Sequence, residues 1–143
     1  MCREGEAREY QDGEVIFNEC DPGKEMFIIQ SGKVKVTKKI MRETEEIETT
    51  LAILKKGDFF GEMALFEDRP RSATVTAMSK TEVLVIDKER LKSLIREDPD
   101  FALKMLEKMS HRIREIDDQV ERLSLQVTLS GRRLRESMPW IGP

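Results

Sequence analysis

Cysteine and histidine are nearly missing from this chain. Its 143 residues include two cysteines, Cys2 and Cys20, and a single histidine, His111. The two thiols stand far apart and form no CxxC pair, which argues against a disulfide scaffold and against a structural zinc site. An iron–sulfur cluster needs about four thiolates, and they are not there. One histidine cannot build a histidine-rich metal site either. No Ser-His-Asp set and no glycine loop ending in GK[ST] can be found, so we expect no enzyme, no metal and no cofactor. Long apolar runs are lacking too. The stretch Met26 to Ile29 is far too short to span a bilayer. The first residues are charged and no apolar segment follows them, so no signal peptide is visible. We therefore expect a reduced, cytoplasmic protein that does not engage a membrane. Positive charge is not in excess: 25 Lys and Arg face 28 Asp and Glu, for a net charge of −3. A mildly acidic chain is a poor candidate for nonspecific nucleic-acid binding, which rests on neutralising phosphates with cations.

What the chain does contain is periodicity, in two kinds. Hydrophobic residues make up 38% and charged residues 37%, enough apolar content for one core. Over the first two-thirds the period is two. Val15 to Phe17 and Met26 to Ile29 are short apolar runs. Val34 and Val36 alternate with Lys33, Lys35 and Lys38, and Ile47, Thr49, Leu51 and Ile53 recur at every second position. Alternation of this kind marks strands with one buried face. Ser72–Met78 and Thr81–Ile86 are two further β-rich runs. Glycines at 13, 23, 32 and 57 fall between runs, where turns are needed. Many short strands at regular spacing predict a mainly β fold: an antiparallel, jelly-roll-like β-roll of about eight strands.

From Asp87 onward the period becomes helical. Asp87 suits the cap of a short helix reaching about residue 96. Asp98-Pro99 then opens a second, long helix, with proline at the first helical position. Leu106, Ile113, Val120, Val127 and Leu134 repeat every seven residues, and Met109, Ile116 and Leu123 repeat three positions later. That is a heptad with the first series at a and the second at d. Ser130 weakens the last d position and Gly131 favours fraying. The organisation expected is a β-roll over 1–97, a long helix over 98–136, and a loose tail over 137–143. An apolar stripe of this kind needs a cover, either a partner chain or the chain's own roll. The β-branched a residues Ile113, Val120 and Val127, with Leu123 at d, favour two strands, and we expect a homodimer through this helix. His111 falls at an outward f position, the place of a solvated residue.

Residues 57–75 interrupt both patterns. Gly61 permits a sharp turn after a strand, and Glu62 to Phe66 can form one or two turns of helix. A helix start exposes unpaired N–H groups and positive potential, which suits an anion. Gly61 and Ala64 are small enough to let a ligand approach the main chain. Arg71 carries a planar fork suited to two phosphate oxygens, and Ser72 adds a hydroxyl. Taken singly, Arg71 could be a surface arginine pairing with Glu67 or Asp68, and Glu62 an ordinary acid at a helix start. Their order, after this strand pattern, carries more.

This segment, Gly61-Glu62 followed by Arg71-Ser72-Ala73, resembles the phosphate-binding cassette of the cyclic-nucleotide-binding domain family. The resemblance covers about the first 130 residues. It implies a sensor whose ligand is cAMP or cGMP. It implies that Glu62 binds the ribose 2′-hydroxyl, that Arg71 pairs with the cyclic phosphate, and that Gly61, Met63, Ala64 and Ser72 line the cassette. Val36, Leu51 and Ala52 correspond to pocket-wall positions. Base contacts in activator-type relatives come from the long helix, and the aligned positions here are Ile116 and Asp117, with Arg112 one turn earlier. Ile116-Asp117 departs from the Thr-Ser pair of the activator protein. Asp117 could accept from the exocyclic amine of adenine or from guanine N1 and N2. The heptad offers another reading: Arg112 at g and Asp117 at the next e are spaced as an interchain ion pair, and Ile116 sits at a core d position. Both can hold at once. A scaffold module of the same fold, without nucleotide, is the rival reading. Relatives that regulate transcription carry a winged helix-turn-helix after the dimer helix. Only a few residues follow Leu134, including Pro139 and Pro143, so direct DNA binding is not expected and the output is expected to pass through a protein partner.

Overall fold

The computed structural model describes residues 6–129. Eight strands come first: β1 (Glu6–Tyr10), β2 (Val15–Phe17), β3 (Met26–Ser31), β4 (Lys33–Arg42), β5 (Glu45–Lys55), β6 (Phe59–Phe60), β7 (Thr74–Ala77) and β8 (Thr81–Ile86). A short helix, α1 (Glu62–Glu67), separates β6 from β7. Helices α2 (Lys88–Glu97) and α3 (Pro99–Leu129) follow. The eight strands form two four-stranded sheets, ordered β1-β8-β3-β6 and β2-β7-β4-β5, and the strand pairs are antiparallel. This is the expected β-roll followed by a long helix.

The core sits between the inward faces of the two sheets. Phe27, Ile29, Val83 and Val85 come from the first sheet with Phe60, and Val34 and Val75 from the second. Each such side chain contributes about 1.5–3 kcal/mol by leaving water. Three phenylalanines close one part of this core. Phe27 stacks on Phe60 with centroids 5.0 Å apart, and Phe17 tilts against both at 5.7 and 5.8 Å.

Two strands differ from expectation. β1 reads Glu-Ala-Arg-Glu-Tyr, with no apolar alternation to announce it. It is a strand because it pairs along β8, Glu6 opposite Val85 and Tyr10 opposite Thr81. β5 is a strand as expected, but its alternating residues do not form the buried face. Leu51 and Ile53 are 52% and 56% exposed, and Ile47 is exposed as well. The inward residue is Leu54, which stands opposite the buried Val34 and packs on the core. That pairing puts Ile53, opposite Lys35, on the outer face, and a register shift further along, with Val36 opposite Ala52 and Thr37 opposite Thr50, leaves Leu51 without a partner of its own.

The helices start as their first residues require. Asp87 Oδ1 accepts from the Arg90 main-chain N–H at 2.7 Å, which caps α2. Pro99 is the first residue of α3. The chain divides into two compact units, one through Glu97 and one from Asp98. Within α3, Leu106, Ile113, Ile116 and Leu123 of the heptad are exposed, while Met109 and Val120 are half-buried. The expectations for Ser130, Gly131, Leu134 and residues 137–143 lie outside the described residues, as does the Val127 side chain.

Candidate phosphate-binding site

The site is assembled around Arg71. Its main chain is held first: Arg71 N–H donates to the Asp21 carbonyl at 2.8 Å, and the Arg71 carbonyl accepts from Cys20 N–H at 2.8 Å. The loop 18–21 that provides these partners is itself fixed, because Asp21 Oδ2 accepts from Asn18 N–H. Thus anchored, Arg71 turns its side chain inward and is only 6% exposed. The guanidinium carbon lies 4.2 Å from the centre of the Phe17 ring and 5.5 Å from that of Phe27, a cation–π arrangement. Nη1 donates to the carbonyls of Glu25 at 2.7 Å and Gly61 at 3.1 Å. The guanidinium is therefore not the surface partner of Glu67 or Asp68.

Two glycines make room for it. A side chain on Gly23 would run into Arg71 Nε, and one on Gly61 would begin 2.8 Å from Nη1. Gly61 also has a φ of +81°, which turns the chain from β6 into α1. The sequence marks Gly23 as a turn residue only. Its role, giving way to an arginine 48 positions later in the chain, depends on tertiary contact.

Burial shapes the charge of this group. Desolvation pulls the Arg71 guanidinium below the ordinary arginine range, and the charges of Glu25, Asp21 and Glu62 act through space to hold it up. Nε is buried and has no hydrogen-bond partner among the described residues. A buried N–H left unmatched costs about 1–3 kcal/mol, so an acceptor that reached it would be favoured.

The remaining cassette residues gather around the same point. Glu62 opens α1 and is half-buried, Met63 is exposed, and Ala64 and Leu65 are buried under the helix. Ser72 is exposed, and its hydroxyl donates to Met63 Sδ at 3.8 Å. The structure also adds a residue that sequence reasoning did not assign here. Lys38 Nζ donates to the Ser72 carbonyl at 3.2 Å and lies 3.9 Å from Glu19. Lys38 therefore brings a second cation to the cassette, from β4. Val36 and Ala52 face each other across β4 and β5 on the side that carries Val34 and Leu54, and Leu51 stands beside them at the register shift. Arg112, Ile116 and Asp117 lie on α3, in the second unit.

Other chemistries find no support among the described residues. No group of three or more His, Cys, Asp or Glu is placed to hold a metal ion, and no helix is long and apolar enough to cross a membrane.

Two antiparallel four-stranded sheets, with a buried arginine beside a short helix, define the class as a β-roll built around a buried cation. Residues 7–98 match the family model described as the cyclic nucleotide-binding domain, and the chain belongs to that family. It is 34% identical over 119 residues to the Cyclic AMP receptor protein of Thermus thermophilus, a match covering 83% of this chain and 54% of that protein. The crystal structure of Thermus thermophilus Catabolite Activator Protein superposes with a TM-score of 0.73 at 34% identity, over 84% of this chain and 55% of that one. The cAMP-dependent protein kinase regulatory subunit of Dictyostelium discoideum is 41% identical over 85 residues, 59% of this chain and 26% of that protein. The chain thus spans about half the length of the bacterial relative and about a quarter of the kinase subunit.

Proposed function

We propose that this chain is a regulatory sensor that binds a cyclic nucleotide reversibly, cAMP ahead of cGMP, and performs no catalysis. The observation that carries the reading is Arg71: a buried arginine, seated on two phenylalanines and two carbonyls, with Nε unmatched. A cyclic phosphate offers two anionic oxygens to such a fork, and a charge-assisted pair in a dry site is strong. Exchanging carbonyl partners for phosphate oxygens draws the guanidinium and α1 toward the ligand, since Arg71 is tied to Gly61 at the start of that helix. Glu62 accepts the ribose 2′-hydroxyl, and Gly61, Met63, Ala64 and Ser72 surround the phosphate and sugar. Val36, Leu51 and Ala52 form the wall. Arg112, Ile116 and Asp117 supply the base contacts or the helix pairing. The shift at α1 is passed to α3, and α3 joins two copies through its heptad. The exposed Leu106, Ile113, Ile116 and Leu123 support that assembly.

Calorimetric titration with cAMP and with cGMP, after unfolding and refolding to strip carried nucleotide, tests this directly. Binding should be micromolar or tighter to at least one. Arg71→Ala should weaken it by more than about 2 kcal/mol, the scale of a charged hydrogen bond with its partner left unmatched. Near-equal affinity in the variant would sink the assignment of Arg71. No heat and no thermal stabilisation with either nucleotide would leave a dimerisation scaffold.

A further inference from the structure

The outer face of the second sheet carries a cluster that the nucleotide site does not use. On β4, Val34 is buried and Val36 packs on the core, so Lys33 and Lys35 turn to the other side. Lys55 stands directly opposite Lys33, and Ile53 directly opposite Lys35, so these four side chains share one face. Lys56 follows at the end of β5. Among the described residues none of Lys33, Lys35, Lys55 and Lys56 makes an ion pair. Further along β4 the situation differs: Lys38 meets Glu19 and Lys39 meets Glu46. Like charges directly opposite each other weaken a sheet. Here they persist on a chain whose net charge is −3, as a local reversal of sign.

β5 is also the outermost strand of its sheet among the described residues. An edge strand presents main-chain donors and acceptors to whatever lies alongside. Ile53, more than half exposed, sits between the lysines. We propose that this edge binds an extended acidic segment of a partner protein, which adds as a further strand beside β5. Side chains two residues apart on such a segment fall on one face, so carboxylates at every second position lie beside Lys55 and Ile53, in the field of Lys33 and Lys35 one strand further in. The intervening apolar residues fall on the face of Leu54. Recognition by strand addition uses main-chain bonds for affinity and alternate side chains for choice of partner. The cluster holds no arginine and no aromatic on which bases could stack, which disfavours a nucleic acid. The exposed apolar residues of this hairpin, Ile40, Met41, Ile47, Leu51 and Ile53, make a lipid surface the partner that the vesicle arm of the test distinguishes. None of these lysines touches the Arg71 guanidinium, and the peptide measurement uses no nucleotide, so its outcome is separate from the nucleotide reading.

The probe is a labelled peptide of about ten residues, a strand's length, alternating glutamate and valine. Its binding to the full chain is followed by fluorescence polarisation at several salt concentrations. Binding that weakens with salt, and that drops about tenfold or more in the Lys35→Glu/Lys55→Glu variant, is the expected result. The same variant should gain binding to a lysine–valine peptide that the unaltered chain refuses. A far-ultraviolet circular dichroism spectrum and unfolding midpoint matching those of the unaltered chain show the variant to be folded. Lys55→Gln, a milder change, should fall between the two. Equal affinity for the glutamate peptide in chain and variants overturns the proposal, as does no binding at all. Tighter capture of phosphatidylglycerol vesicles or of a single-stranded DNA oligonucleotide than of the peptide overturns it in favour of those partners.

Discussion

The strand unit and helix α3 contain the same kinds of apolar side chain and treat them in opposite ways. In the strand unit Ile29 is 1% exposed and Val34, Val83 and Ile86 are fully buried. On α3, Ile113 is 60% exposed, and Leu106, Ile116 and Leu123 are similar. A β-roll closes its own core because two sheets can face each other. A helix with a heptad stripe presents that stripe for something else to cover. The two regions therefore respond to different variables: the roll to its internal packing, the helix to the concentration of what covers it.

That contrast can be tested most sharply in the core. Ile29→Ala should lower the unfolding free energy by about 2–5 kcal/mol, the cost of a cavity. Ile113→Ala, measured by the same denaturant titration in dilute protein, should change it by less than about 0.5 kcal/mol, as surface changes do. Comparable losses would erase the distinction between the two regions. Next in size is Val120→Glu, which places a charge at an a position. Sedimentation should show a dimer for the unaltered chain and a monomer for the variant. A monomer in both cases would remove the heptad as an interface.

A smaller effect is expected from Gly23→Ala, since the new methyl would meet the flexible end of Arg71. Nucleotide affinity should fall about tenfold, or about 1.4 kcal/mol, with little change in the unfolding midpoint. A variant that binds as well as the unaltered chain would show that Arg71 leaves its seat without hindrance. Least of all should come from Asp117→Ala. As an exposed helix pair with Arg112 it would contribute about 0.2–1 kcal/mol to dimer stability, reduced by salt. As a base contact it would instead change the ratio of cAMP to cGMP affinity and leave sedimentation alone.

Local chemistry was the legible part. Gly61, Glu62, Arg71 and Ser72 lie within one short segment, and their combination pointed to the cassette before any contact was known. Helix starts at Asp87 and Asp98-Pro99 were legible for the same reason. Long-range effects were not. β1 has no pattern of its own and exists through β8. The exposed side of β5 follows from pairing Leu54 with the buried Val34, which the alternation of Ile47, Leu51 and Ile53 does not reveal. Phe17 and Phe27 under Arg71, Gly23 beside it, and Lys38 on the Ser72 carbonyl are all brought there by tertiary structure.

The pairing of β1 with β8 also bears on time. β4 and β5 are neighbours along the chain and can close as a hairpin within microseconds to tens of microseconds, about the scale for such elements. Glu6 meets Val85 only after nearly the whole strand unit has been gathered between them. Contacts of such separation slow folding, toward about milliseconds to seconds for β-rich domains. The sheet β1-β8-β3-β6 therefore depends, at its β8 edge, on a pairing that chain separation makes slow to close.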